Sequence, residues 1–235
     1  MTIPAQYRPA DAQPGPMKPI VPYVAMADNL AVPRQIAAAV VAADGSKPRL
    51  VVDVGSFLGE LLEAFLDKFP DARGQWTDAT DNSKGLAEER LARFGDRVDY
   101  RVGCPGRNAA DGTVPSGVDV LATSWVSSHR GVEGTAEFYR GAAGLLAPGG
   151  WLVVMDHIGY TDPDRERRML AARRGFQVDF EGPPPHHDGH IATREQHLAG
   201  FAAAGITDVD VVWESLGTVL FMGRRAGDSA AGSAQ

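Results

Sequence analysis

The sequence predicts an α/β fold with a mostly parallel sheet, and three observations carry that expectation. The first is the stretch VVDVGSFLGE at residues 51–60, an apolar run that ends in an aspartate and two spaced glycines. The second is the alternation of strand-like and helix-like segments over most of the chain, which implies parallel pairing through helical crossovers. The third is the ending DVDVVWESLGTVLFMGRR, which reads as two strands around residues 215–217, a hairpin added to the sheet.

Residues 1–22 carry Pro4, Pro9, Pro14, Pro16, Pro19 and Pro22, too many for a long helix, so residues 1–29 are expected to form an extended arm. A helix starts near Pro33, a residue suited to a first turn, and runs through QIAAAVVAA to a stop at Asp44 and Gly45. Strand 49–54 follows, with the uninterrupted β-branched character of a strand buried on both faces. After Gly59, the residues Leu61, Leu62, Phe65, Leu66 and Phe69 recur at helical spacing, so helix 59–69 begins directly after the glycine turn. The same reasoning yields strand 74–78, helix 83–93, strand 98–102, a loop, strand 118–123 and helix 133–146. A stop at Pro148-Gly149-Gly150 and strand 151–156 come next. Residues 160–192 read as an inserted loop or lid on the substrate side, because long loops commonly have that role, with the arginines of 165–168 and 173–174 as a solvated helix face. Thr193 opens a helix with Gln196 at capping-box spacing, and Gly205 ends it. The tail 226–235 has too little apolar content to pack and is expected to be disordered.

A chain of 235 residues, 44% hydrophobic and 23% charged, suits one globular domain. A net charge of −7 argues against a nucleic-acid binder. The single cysteine, Cys104, rules out an internal disulfide and suits a reducing compartment. No apolar run approaches the roughly 20 residues needed to span a membrane. The first residues lack the apolar core of a signal peptide, so no membrane association and a cytoplasmic location are expected.

Asp53 adds a hydrogen-bond acceptor at the carboxyl end of the first strand, where open α/β sheets bind ligands, and the glycines let a ligand approach the main chain. A dinucleotide-binding GxGxxG turn is the nearest rival, and Phe57 interrupts it. The run Asp53, Gly55, Ser56, Gly59 resembles the first motif of the class I S-adenosylmethionine-dependent methyltransferases, DxGxGxG, in its DxGSxxG variant with Phe57 at the middle glycine. The resemblance covers roughly residues 30–223. It continues through Asp78, 25 positions after Asp53, through Ser124 and Trp125 at the end of GVDVLATSW, and through LLAPGGWLVVMD, close to the LxPGGxL signature. TREQHLAGFAAAGITDVDVV is similar to the family's closing helix and strand.

The resemblance implies a Rossmann-like three-layer α/β sandwich over residues 30–225, with a seven-stranded sheet whose last strand is antiparallel. It implies S-adenosylmethionine as cofactor, with S-adenosylhomocysteine as product. Asp53, Gly55, Ser56 and Gly59 would surround its methionine end and Asp78 with Ala79 its ribose, Asp81 being the alternative by position. Gly103 and Cys104 would meet the adenine, and Ser124 and Trp125 would stand at the border with the substrate. The implied activity is methyl transfer to a small molecule, at oxygen or nitrogen rather than carbon, with a homodimer left open. A cofactor-binding regulator and a different reaction on the same cofactor stay as rivals, because Phe57 and Cys104 stand where the family usually makes contacts.

His129 and His157 sit on loops that rim the carboxyl edge of the expected sheet, and imidazole titrates near neutral pH, so each is a candidate general base. His186, His187 and His190, with Asp188, lie in one loop without HExxH or CxxC spacing. They read as a solvent-facing loop, and no metal is expected.

Overall fold

The computed structural model describes residues 30–103, 112–176 and 191–227. The proline-rich arm, Cys104, the histidines at 186, 187 and 190, and the tail from residue 228 lie outside the described residues.

The described chain runs α1 (Ala31–Ala43), β1 (Leu50–Val54), α2 (Glu60–Lys68), β2 (Arg73–Asp78), α3 (Lys84–Leu91), β3 (Val98–Val102) and β4 (Val118–Ser124). It continues through α4 (Gly131–Leu145), β5 (Leu146–His157), α5 (Pro163–Phe176), α6 (Arg194–Ala203), β6 (Ile206–Ser215) and β7 (Thr218–Arg225). The strands form one seven-stranded sheet in the order β3-β2-β1-β4-β5-β7-β6. Pairing is parallel except at β7, which runs antiparallel to both β5 and β6.

Side chains of neighbouring strand residues point to opposite faces, and here both faces are covered. Val51, Trp76, Val120, Val153 and Met155 pack with Ala37, Val41, Leu62, Phe65 and Leu91, so α1, α2 and α3 cover one face. Val52, Leu121, Leu152, Val154 and Phe221 pack with Phe138, Tyr139, Ala142 and Phe201, so α4 and α6 cover the other. The three layers follow from these two cores.

Element boundaries differ from the expectation at three places. The Pro148-Gly149-Gly150 stretch, expected to separate helix 133–146 from strand 151–156, lies inside β5: the helix ends at Leu145, pairing begins at Val118↔Leu146 and resumes at Val120↔Trp151, so the extra residues form an irregularity within the strand. A Cβ at Gly150 would lie 2.9 Å from the carbonyl oxygens of both Ala147 and Val118, so only glycine fits the fold-back. Residues 160–192 are not a loop throughout. α5 begins at Pro163 with Asp164 and Glu166 in its first turn, favourable for a helix start, and its Arg165, Arg167 and Arg168 are exposed, as a solvated face requires. The helix expected over 83–93 ends at Leu91 and passes into a 3₁₀ turn, Ala92–Arg97, broken by Gly95 at φ 57°. The capping box of α6 is present in both directions, Thr193 with the Gln196 amide and Gln196 with the Thr193 amide.

α4 and α6 are joined inside the second core by a polar contact, Tyr139 Oη to His197 Nδ1 at 2.5 Å. Both residues are fully buried. The Tyr139 ring stacks on Phe201 at 4.3 Å and the His197 ring on Phe221 at 5.0 Å between centroids. Burial pushes His197 below the usual imidazole range, although the Asp156 carboxylate favours its charged form. The unfolded chain therefore takes up a proton near pH 6.5 that the folded chain refuses. The stability that neutral His197 contributes is complete above that pH and is lost as pH falls toward the folded value. Urea denaturation of the wild type and of His197→Phe should give a stability difference that grows in the wild type's favour from pH 5 to pH 7 and then levels off.

Candidate functional site

β1, β2 and β3 are laid down in one direction across the sheet and β4 and β5 in the other, so the order reverses between β1 and β4. A crevice at the carboxyl ends of the strands beside such a reversal is the usual ligand site of an open α/β sheet. The loops that leave β1, β2, β4 and β5 there carry most of the residues singled out from the sequence.

The turn after β1 alternates in backbone hand: Gly55 has φ 67°, Phe57 φ 49° and Gly59 φ 81°. Glycine adopts such angles freely, whereas Phe57 pays about 1–2 kcal/mol for its left-handed conformation. Two bonds from β2 hold it there: the Phe57 amide donates to Asp78 Oδ2 at 3.1 Å, and Trp76 Nε1 donates to the Phe57 carbonyl at 2.9 Å. The Ser56 amide donates to the Thr77 carbonyl at 3.0 Å, and the Gly59 amide closes the turn on the Ser56 carbonyl at 2.8 Å. Phe57, which stands where the resemblance places a middle glycine, thus holds a left-handed conformation that glycine would adopt freely.

Asp53 lies beneath this turn, 1% exposed. Its Oδ2 accepts from Ser56 Oγ at 2.7 Å and from the Leu62 amide at 3.3 Å, whereas Oδ1 is buried without a partner among the described residues. Burial pushes the carboxyl up to about 7, against the pull of the Ser56 and Leu62 bonds. Asp78 ends β2 and is 2% exposed; burial raises it to about 6, opposed by the amides of Phe57, Ala79 and Thr80. Asp81, the positional alternative, is exposed and outside the strand end. Gly103 follows β3, and its amide donates to the Asp78 carbonyl at 2.8 Å.

Across the reversal, Ser124 ends β4 and Trp125 turns the chain with φ 55°. An aromatic residue in that region is strained by about 1–3 kcal/mol and persists only where its surroundings enforce it. The Trp125 amide donates to the Met155 carbonyl at 2.8 Å, and the next residues are gripped by Asp156, which the sequence reading did not place in the site. Asp156 is fully buried and accepts at Oδ2 from the Ser127 amide (2.8 Å), Ser127 Oγ (2.5 Å) and the Ser128 amide (3.1 Å), and at Oδ1 from the His157 amide (2.8 Å). His157 ends β5, 8% exposed, with Nδ1 3.1 Å from Thr218 Oγ1 and its ring 6.0 Å from the Trp125 ring. His129 closes the 3₁₀ turn Ser127–His129 that leads into α4; its side chain lies outside the described residues. The structure therefore brings together Asp53, Gly55, Ser56, Gly59, Asp78 and Ala79 on one bank and Ser124, Trp125 and His157 on the other. Among the described residues no group of three or more His, Cys, Asp or Glu is arranged to hold a metal ion, and no helix is long and apolar enough to cross a membrane.

No family model matches the chain. Among characterised sequences, the hybrid PKS-NRPS synthetase pvhA of Talaromyces variabilis is 29% identical over 140 residues, 58% of this chain and 3% of that protein. Among solved structures, an O-methyltransferase family protein from Burkholderia thailandensis superposes with a TM-score of 0.63 at 20% identity, over 86% of this chain and 59% of that one. Human N-acetylserotonin methyltransferase, solved in complex with S-adenosylmethionine, gives 0.61 at 14% identity over 86% and 54% of the two chains. The mitomycin 7-O-methyltransferase MmcR gives 0.60 at 21% identity over 84% and 54%. The chain spans somewhat over half the length of these structures. At such identities the likeness establishes the fold, which is that of the S-adenosylmethionine-dependent methyltransferases.

The two banks come into close contact at Gly55. A Cβ at Gly55 would stand 2.3 Å from Val126 Cγ2, closer than any real contact. Gly55→Ala should therefore destabilise the protein by about 2–4 kcal/mol, combining overpacking with the left-handed φ. Adding Val126→Ala should recover the overpacking part and leave the backbone part, which a double-mutant comparison of urea midpoints measures.

Proposed function

On this fold we propose that the protein transfers a methyl group from S-adenosylmethionine to a small-molecule acceptor. The observation that carries the reading is the pairing of the left-handed Gly55–Gly59 turn with two buried carboxyls, Asp53 and Asp78, beside the strand-order reversal. Both acids are held above the usual carboxylate range by burial, and Asp53 Oδ1 has no partner among the described residues. That combination fits a cationic group bearing a ribose diol, because a bound cation offsets the cost of burying these charges. When bound, S-adenosylmethionine supplies an activated methyl group on a sulfonium sulfur.

In this reading the Gly55 to Gly59 backbone and Asp53 receive the methionine end, while Asp78, with Ala79, accepts from the ribose hydroxyls. Gly103 and Cys104 border the adenine. Ser124 and Trp125 separate cofactor from acceptor. The chain's main contribution to rate is alignment of acceptor and methyl group with exclusion of water. His129 and His157 are the residues assigned to take a proton from an acceptor hydroxyl or amine, and Thr218 holds the His157 ring by its Nδ1. The functional unit spans residues 30–225. The stretch shared with the hybrid synthetase favours a second acceptor class, a polyketide or peptide intermediate.

The deciding experiment is calorimetry with S-adenosylmethionine and S-adenosylhomocysteine, followed by a methyl-release assay on phenols, amines, acids and thioester-bound polyketide analogues. Binding without turnover on any of them would favour a regulator over an enzyme. Asp78→Ala should weaken cofactor binding by roughly 1.5–3 kcal/mol, whereas Asp81→Ala should leave it unchanged. Because Asp53 and Asp78 are protonated below about 7 and 6, cofactor affinity should rise with pH from 5 to 7.5, with proton release on binding that calorimetry in buffers of different ionisation enthalpy detects. Replacing the residue that serves as base, His129 or His157, by alanine should lower turnover about 10²- to 10⁴-fold with cofactor affinity intact, and the defect should shrink as pH rises. Full turnover in both variants and in the double variant from pH 6 to 9 would exclude both histidines.

A further inference from the structure

We propose that Asp156 is a positioning residue: its buried carboxylate clamps the strained turn after β4 and thereby sets where Trp125 and His129 stand at the rim of the crevice. The consequence for turnover rests on the methyl-transfer reading, whereas the clamp itself rests on geometry alone.

A fully buried carboxylate is costly unless donors surround it. Asp156 has them, and their distribution is uneven. Three of the four donors, the Ser127 amide, Ser127 Oγ and the Ser128 amide, belong to two consecutive residues of the turn and converge on one oxygen, Oδ2. The fourth, the His157 amide, ties Oδ1 back to the end of β5. The carboxylate therefore bridges the outlets of β4 and β5, the two strand ends on the acceptor bank. Two residues before the first clamped residue stands Trp125 at φ 55°, its amide already bound to the Met155 carbonyl. Just after the clamped residues comes His129. Packing alone would not need a charge here, since an apolar side chain could fill the space. A charge aimed at three donors of one turn fixes that turn's orientation, and a left-handed tryptophan is kept only by surroundings that over-determine it. At the junction with α4, the single Thr135 hydroxyl proton faces two carbonyls, that of Gly131 at 2.7 Å and that of Ser127 at 3.1 Å.

The test compares wild type, Asp156→Asn and Ser127→Ala. Asparagine keeps the volume but cannot accept with both of its terminal atoms, and Ser127→Ala removes one donor while leaving both amides. Trp125 is followed as the near-ultraviolet circular dichroism difference between each protein and its own Trp125→Phe partner, a signal independent of any acceptor. Asp156→Asn should alter that signature and reduce kcat about 10- to 100-fold, with Kd for S-adenosylmethionine within about twofold of wild type. Ser127→Ala should move both in the same direction by less, and it decides the matter alone if Asp156→Asn fails to fold. An unchanged Trp125 signature in the variants would overturn the clamp. A changed signature with unchanged kcat would overturn the positioning role, as would a kcat loss matched by an equal loss of cofactor affinity. If the wild type methylates no acceptor, the methyl-transfer reading fails, and the Trp125 signature still decides whether Asp156 holds the turn.

Discussion

The bond from the Phe57 amide to the Asp78 carboxylate is the contact on which the cofactor bank depends. It crosses from the turn after β1 to the end of β2, two adjacent parallel strands, and it fixes a residue that would otherwise leave the left-handed region. With the Trp76 indole donating to the Phe57 carbonyl, the peptide units on both sides of Phe57 are held by β2. The glycines flanking Phe57 can then keep the alternating hand that brings the main chain to the crevice. A phenylalanine at the usual glycine position is tolerated because its neighbours in the sheet, rather than its own preference, determine its φ.

The same device recurs on the opposite bank with a different balance. Asp156 collects four donors, three from the turn after β4 and one from the end of β5, so its burial is matched by hydrogen bonds. Asp53 collects two and leaves one oxygen without a partner among the described residues, and burial raises its carboxyl to about 7. A carboxylate whose donors are complete serves the architecture, whereas one left incomplete at a ligand-binding edge is suited to an incoming donor or cation. Strain is distributed likewise: Phe57 and Trp125 are both left-handed, one on each bank, and each is held by the neighbouring strand's end.

Each bank rests on both cores. Trp125 packs against the core shared with α1, α2 and α3, whereas Val54 at the end of β1 and Val126 belong to the core of α4 and α6, where Tyr139 meets His197. Gly55 against Val126 is where the banks meet, and the absence of a side chain at Gly55 lets them approach. Site geometry therefore depends on the sheet that joins the two cores, in particular on the β1–β4 pairing from Val51↔Val120 to Val54↔Thr123.

What the sequence determined by itself was local. The β1 turn was legible because an apolar run, an aspartate and two glycines lie within ten residues, and the α6 cap because Thr193 and Gln196 are three apart. The alternation of strand and helix implied parallel pairing, and the position of Asp78 at a strand end, rather than the exposed Asp81, followed from spacing. The tertiary structure alone decided the rest. Pro148-Gly149-Gly150 looked like the stop between a helix and a strand starting at 151, yet β4 pairs on both sides of it and β5 already begins at Leu146. α5 has a polar, weakly periodic sequence, so its arginines suggested a solvated helix face while the extent of the helix, Pro163–Phe176, was not legible. Asp156 became the hub of the acceptor bank through partners 28 and 29 residues away, and Tyr139 met His197 across 58. The physical reason is the same in each case. Backbone preference and periodicity act between near neighbours and are written in the order of residues, whereas a buried polar group takes its role from donors that only the folded sheet brings within reach.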